Sequence, residues 1–224
     1  MIDFQIREQI CKLNIDLQVY GLVKWTSGNV SQRTPGGNSF IIKPSGVSYE
    51  KLEPSMMVVC DLYGNVLEGE LSPSSDTAAH AYVYRSMPHI HGVVHTHSNY
   101  ATAWAAIQQP IPCALTAMAD EFGDDIPLGP FALIGNDDIG KGIVETLTGH
   151  RSQAVLMKNH GVFTIGKDAQ TALKVAVMCE DVAKTLWIAR SMGEVNRLPQ
   201  ESIDLLYSRY QNAYGQNEVK QQGH

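Results

Sequence analysis

At 224 residues, with 44% hydrophobic and 18% charged residues, the chain matches one sizeable globular domain with a substantial core, taken here as a single unit over residues 1–224. A net charge of −6 and the lack of any Lys/Arg run exclude a nucleic-acid surface, which needs a concentrated basic patch. No apolar run approaches the ~20 residues that cross a bilayer. Cys11, Cys60, Cys113 and Cys179 are scattered with no CxxC pair, which indicates free thiols in a reducing compartment. Met1–Arg7 lacks a signal-peptide hydrophobic core, so the expectation is a cytoplasmic protein with no nucleic-acid and no membrane partner.

In chain order, Ile6, Ile10, Leu13 and Leu17 recur at helical spacing across 3–20 and stop at Gly21. Strand-like runs at 29–31 and 39–42 flank the hairpin signal Pro35-Gly36-Gly37-Asn38. A second hairpin joins 56–60 to 65–68 across Tyr63-Gly64-Asn65. Ser72-Pro73-Ser74-Ser75-Asp76 opens a helix through Arg85, and an apolar β-branched run then predicts a strand from His91 to His97. A helix over 99–107 leads into a Pro/Gly-punctuated stretch at 109–130. Helices at 137–147, 168–190 and 201–212 and paired strands over 154–165 complete the chain. Early hairpins with interspersed helices predict an α/β fold, a mixed, mainly antiparallel sheet covered by helices on both faces.

Side chains alternate across a strand, so His95 and His97 share a face while Thr96 points away. Two imidazoles side by side suit one metal ion, although two satisfied sheet histidines would read the same way. His160, which ends the apolar run Ala154–Met157 and precedes Gly161, adds a third candidate ligand. Asp76, at a helix start, is either a cap or a fourth ligand; three histidines and an acid form a set that holds a catalytic divalent ion. His80, one turn further on among alanines, reads as a packed helix residue. His89, His91, His150 and His224 read as structural or exposed.

Three turns rich in small residues, Thr26-Ser27-Gly28-Asn29, Lys43-Pro44-Ser45-Gly46 and Ser72-Pro73-Ser74-Ser75, offer hydroxyls, backbone N–H groups and one lysine. Such turns hold phosphate, and Ser74-Ser75 precedes a helix N-terminus whose dipole favours an anion. Each turn alone is also ordinary loop material. Gly135–Gly142 mimics a nucleotide-binding loop, but Gly142 stands where the hydroxyl that meets magnesium is required, and capping by Asn136 explains the segment better. Nothing follows a strand with the glycine pattern of a dinucleotide site.

Taken together, Thr26–Ser31, Ile42–Val47, Pro73–Thr77, Val94–Ser98 and Asn159–Phe163 resemble, in order and spacing, the class II aldolase/adducin family over nearly the whole chain. The resemblance implies an α/β/α sandwich and a homotetramer with active sites at subunit interfaces. It implies a divalent metal, zinc first, with manganese or cobalt as alternatives, on Asp76, His95, His97 and His160. It further implies phosphate binding through Gly28, Asn29, Lys43, Ser45, Gly46, Ser74 and Ser75. In the family's epimerase branch, Asp120 and Tyr214 match the acid/base pair that would invert C4 of a phosphorylated ketopentose by retro-aldol cleavage and re-addition. The chain departs from that pattern in being shorter before Tyr214, where a basic contact falls to Arg209. The alternatives are an aldolase that releases both fragments and a non-catalytic scaffold domain. Metallo-hydrolases with HxH strands add an Asp-His pair, whereas Ser98-Asn99-Tyr100 follows here.

Overall fold

The computed structural model describes residues 4–213. Eight strands form one sheet: β1 (Asn29–Arg33), β2 (Ser39–Ile42), β3 (Val58–Asp61), β4 (Val66–Glu68), β5 (Gly92–Thr96), β6 (Leu128–Gly129), β7 (Ala154–Met157) and β8 (Gly161–Gly166). Their order is β4-β3-β2-β1-β5-β8-β7-β6, with every neighbouring pair antiparallel except β6–β7. The mixed α/β architecture is the one the alternating hairpin and helix signals predict.

Seven helices cover the sheet: α1 (Phe4–Val19), α2 (Thr77–Ser86), α3 (Asn99–Ala106), α4 (Thr116–Phe122), α5 (Asp138–Leu147), α6 (Ala169–Met192) and α7 (Gln200–Ala213). On one face α2 and α5 pack over Phe40, Val93, Val155 and Phe163. The α5 contribution follows from helical spacing, since Ile139, Ile143 and Leu147 fall on one stripe and all are buried. On the other face α6 lies across the sheet centre beneath α1 and α3, burying small residues such as Ala172, Ala176, Cys179 and Ala183 that let it approach closely.

Strand β5 is therefore central, and it alternates. Val93 belongs to the α2/α5 core and Val94 to the α1/α6 core, which sends His95 toward α2. The four cysteines are free and buried. No helix among the described residues is long and apolar enough to cross a membrane.

The structure corrects several boundaries. The histidine strand spans 92–96 rather than 91–97, so His97 sits just beyond it. Met56 belongs to a 3-10 turn, Pro54–Met56, and not to β3. The punctuated stretch at 109–130 contains α4 and β6. Helix α4 is too short to show periodicity and ends at Gly123, which adopts the left-handed conformation (φ 63°) that glycine tolerates. Asp168 caps α6 by accepting from the Thr171 N–H at 2.7 Å.

Candidate metal and phosphate site

Strands β5 and β8 are paired so that His95 faces Phe163 and Thr96 faces Val162. This register places His160, immediately before β8, beside the end of β5. The approach needs Gly161, because a Cβ there would lie 2.5 Å from the Thr96 carbonyl oxygen. Candidate ligand atoms of His95, His97 and His160 all fall within 4.8 Å of one another. His95 is buried, stacks on the Phe163 ring at 4.1 Å and donates its Nδ1–H to the Val162 carbonyl at 2.9 Å. That bond leaves Nε2 as a lone-pair donor, and it stands 2.8 Å from Nε2 of His97.

Burial holds the His95 imidazole down at about 3, against the opposing pull of Asp76. It also lowers His97 and His160, so all three rings are neutral near pH 7. Neutral, converging imidazoles with one ring oriented by a backbone carbonyl fit a divalent cation. The three histidines the chain spacing singled out therefore do converge.

Asp76 occupies the N-cap position of α2, yet its side chain makes no capping bond. Its Oδ2 accepts from Asn29 Nδ2 at 2.7 Å, while Oδ1 is buried without a partner, as is Oδ1 of Asn29. Burial pushes the Asp76 carboxyl up, but His95, His80 and the Asn29 hydrogen bond outweigh it and hold it below the usual carboxylate range. Asp76 stands outside the three-histidine cluster but lines the same cavity. His80 is fully buried, with Nδ1 2.7 Å from the Ser31 hydroxyl, as its alanine-rich surroundings predict.

The three small-residue turns meet at this cavity. Gly28 (φ +75°) passes so close to β5 that a Cβ would lie 2.8 Å from the His95 carbonyl oxygen. The other two turns are stitched together by Ser45 N–H to the Ser72 carbonyl (2.9 Å) and Ser74 N–H to the Lys43 carbonyl (3.0 Å). Ser74 also accepts from Asn29 Nδ2 at 2.9 Å. Lys43 is 1% exposed; its ammonium reaches the carbonyls of Pro44 (3.3 Å) and Thr26 (3.4 Å), and burial lowers it to about 8.

Gly28, Asn29, Lys43, Ser45, Gly46, Ser74, Ser75, Asp76 and the three histidines thus line one cavity of about 330 Å³. Ile134 also lines it; the apolar run Phe131–Ile134 reads as strand-like in sequence, but the structure leaves it as a loop. A larger groove of about 920 Å³ near Phe4 and Leu71 holds no ligand cluster, and its Arg7 is already paired with Glu68.

Asp120 is not brought to this cavity within one chain. It lies on α4 beneath α7, with its Oδ1 4.0 Å from Arg209. Tyr214 lies outside the described residues.

The family model for the class II aldolase and adducin N-terminal domain matches residues 8–187. Among solved structures, an L-fuculose 1-phosphate aldolase is 28% identical, with 94% of this chain and 98% of that chain covered and a TM-score of 0.88. YgbL from Escherichia coli is 26% identical over 91% of this chain and 98% of its own, TM-score 0.80. L-fuculose-1-phosphate aldolase from Thermus thermophilus is 26% identical over 82% and 93%, TM-score 0.69. With the family model covering most of its length and the histidine cluster intact, the chain belongs to the class II aldolase/adducin family.

Proposed function

We propose that the cavity binds a phosphorylated ketopentose and that the protein is an L-ribulose-5-phosphate 4-epimerase, producing D-xylulose 5-phosphate. The observation that carries the reading is the convergence of three neutral imidazoles, a buried carboxylate and three phosphate-type turns on one small cavity. C4 of such a sugar bears no acidic hydrogen, so inversion needs C3–C4 cleavage, rotation of the resulting glycolaldehyde phosphate and re-addition to the other carbonyl face. A divalent ion on His95, His97 and His160, zinc in this proposal, supplies Lewis-acid stabilisation of the charge developing on the ketose oxygen.

The chain's own residues do the rest. The turns and Lys43 grip the phosphate and keep the aldehyde fragment from leaving. The free Oδ1 atoms of Asp76 and Asn29 accept hydrogen bonds from substrate hydroxyls. Asp120 and Tyr214 of a neighbouring subunit in a homotetramer act as acid and base at the C4 oxygen.

A second reading is a class II aldolase that releases both fragments, favoured by the likeness to L-fuculose 1-phosphate aldolase. The two place phosphate on different fragments, C5 in the ribulose substrate and C1 in the fuculose one. Incubating zinc-loaded protein with L-ribulose 5-phosphate separates them. The epimerase yields D-xylulose 5-phosphate, abolished by chelator. Accumulation of dihydroxyacetone and glycolaldehyde phosphate, or turnover of L-fuculose 1-phosphate alone, assigns the aldolase instead.

A further inference from the structure

Helix α3 starts at Asn99, with Ser98 alone between it and His97. Helices usually satisfy their first N–H groups with an N-cap side chain. Ser98 does not serve; its side chain makes no capping bond. Instead Glu180, from the middle of α6 and eighty positions away, accepts the N–H groups of Tyr100 (3.0 Å) and Ala101 (2.9 Å) on its two carboxylate oxygens. A carboxylate astride the N-terminal turn also meets the positive end of the helix dipole.

The other end of α3 is tied to the turn that carries His160. The Ala105 carbonyl accepts the Asn159 N–H at 3.2 Å, and Asn159, held at φ 57°, is the residue before His160. Helix α3 is therefore a strut of eight residues between His97 and the His160 turn, clamped at one end by Glu180. The clamp matters because His95 is locked by Phe163 and Val162, whereas His97 lies past the end of β5.

We propose that Glu180 is a positioning residue for the three-histidine centre, fixing through α3 where His97 and His160 stand relative to His95. This rests on the reading of those imidazoles as metal ligands. Removing a partner hydrogen-bonded directly to a metal ligand typically costs about 10–100-fold in metal affinity, and Glu180, acting through the α3 backbone, falls at the lower end of that range.

The test uses Co²⁺ alone, with affinity measured by chelator competition and geometry by the visible ligand-field spectrum, on full-length protein. Glu180→Gln keeps the shape but presents an amide N–H to one helix N–H; Glu180→Ala removes the clamp. Trp104→Phe is the packing control, since it deletes a different α3–α6 bond, Trp104 Nε1–H to the Ala183 carbonyl (3.2 Å), away from the clamp. Both Glu180 variants should bind Co²⁺ at least about tenfold more weakly with an altered spectrum, and Glu180→Asp should recover part of the loss, while Trp104→Phe stays near wild type. Wild-type affinity and spectrum in Glu180→Gln overturn the role while leaving the metal centre intact. An equal loss in Trp104→Phe reduces Glu180 to general packing and also overturns it. Wild-type protein that takes up no Co²⁺ removes the metal centre and the role together.

Discussion

Lys43 carries a conflict within one residue. Its ammonium is buried with only carbonyl oxygens and the Tyr49 ring, 4.9 Å from the ring centroid, against it. Burial brings it to about 8 from 10.5, so it binds its proton less tightly folded than unfolded. Between pH 8 and 10.5 the unfolded chain holds the extra proton, and stability rises with pH across that window; below pH 8 the full penalty persists. Lys43→Met should therefore stabilise the ligand-free protein at pH 7 by about 1–3 kcal/mol, read from the denaturant midpoint, with the gain fading toward pH 10. An arriving phosphate reverses the sign, because it favours the charged lysine. The same variant should bind inorganic phosphate about tenfold or more weakly, since a hydrogen bond to a charged group contributes about 1.5–3 kcal/mol. Wild-type affinity should fall as pH passes 8, and that inflection should be missing from the variant. A variant that binds phosphate as well as wild type, with the same pH profile, removes Lys43 from the anion site.

Among the elements, the β5–β8 pair decides whether a metal centre exists, and the close contact at Gly161 is its narrowest point. Gly161→Ala sets a Cβ 2.5 Å from a backbone oxygen that has nowhere to move without parting the strands. The expected outcome is a loss of about 1–3 kcal/mol in stability, the range for overpacking, with metal affinity falling further than stability because His160 is displaced. Calorimetric metal titration beside a denaturant melt checks this; unchanged metal binding would free the centre from dependence on that register. This part of the site was legible from sequence because it is local: two histidines at strand spacing, and a histidine followed by the glycine that lets its strand close in. Other parts were not. Helix α4 runs only Thr116–Phe122, and Met118, Ala119 and Phe122 gain their burial in a core shared with Ile203 of α7, a tertiary partner far along the chain. Glu180 looks like any partly buried acid on a long amphipathic helix until α3 is laid across it. The histidine strand is one residue shorter at each end than its sequence pattern implies: His91 still exchanges backbone bonds with Arg33 (2.9 Å) and Gly166 (3.0 Å) just outside the strand, whereas His97 lies past its other end.

For the whole molecule, the relation that decides the chemistry is between the cavity and Asp120. One chain assembles the imidazoles, Asp76 and the phosphate turns, yet keeps Asp120 on α4, away from the cavity lining. The surface suggests where the missing groups come from. Phe131, Leu133 and Ile134 stand 60%, 69% and 54% exposed in one short loop, and Ile134 reaches the cavity rim. Trp25, beside the Thr26 turn, is 80% exposed and held at φ 57°. Apolar side chains gathered at the edge of a site are a common mark of a surface that meets another protein, and here the proposed partner is another copy of the chain. In a closed ring, each site then draws its imidazoles from one subunit and Asp120 from the next. His97→Ala and Asp120→Asn should each abolish epimerisation as homo-oligomers while failing at different halves of the site. Unfolded together in equal amounts and refolded, they form mixed rings in which about a quarter of the sites pair an intact imidazole set with an intact Asp120, and activity should return to about that fraction. Mixed oligomers that stay inactive would place both halves in one chain. An Asp120→Asn variant with full epimerisation activity would instead leave the proton transfers to Asp76 and residues already lining the cavity.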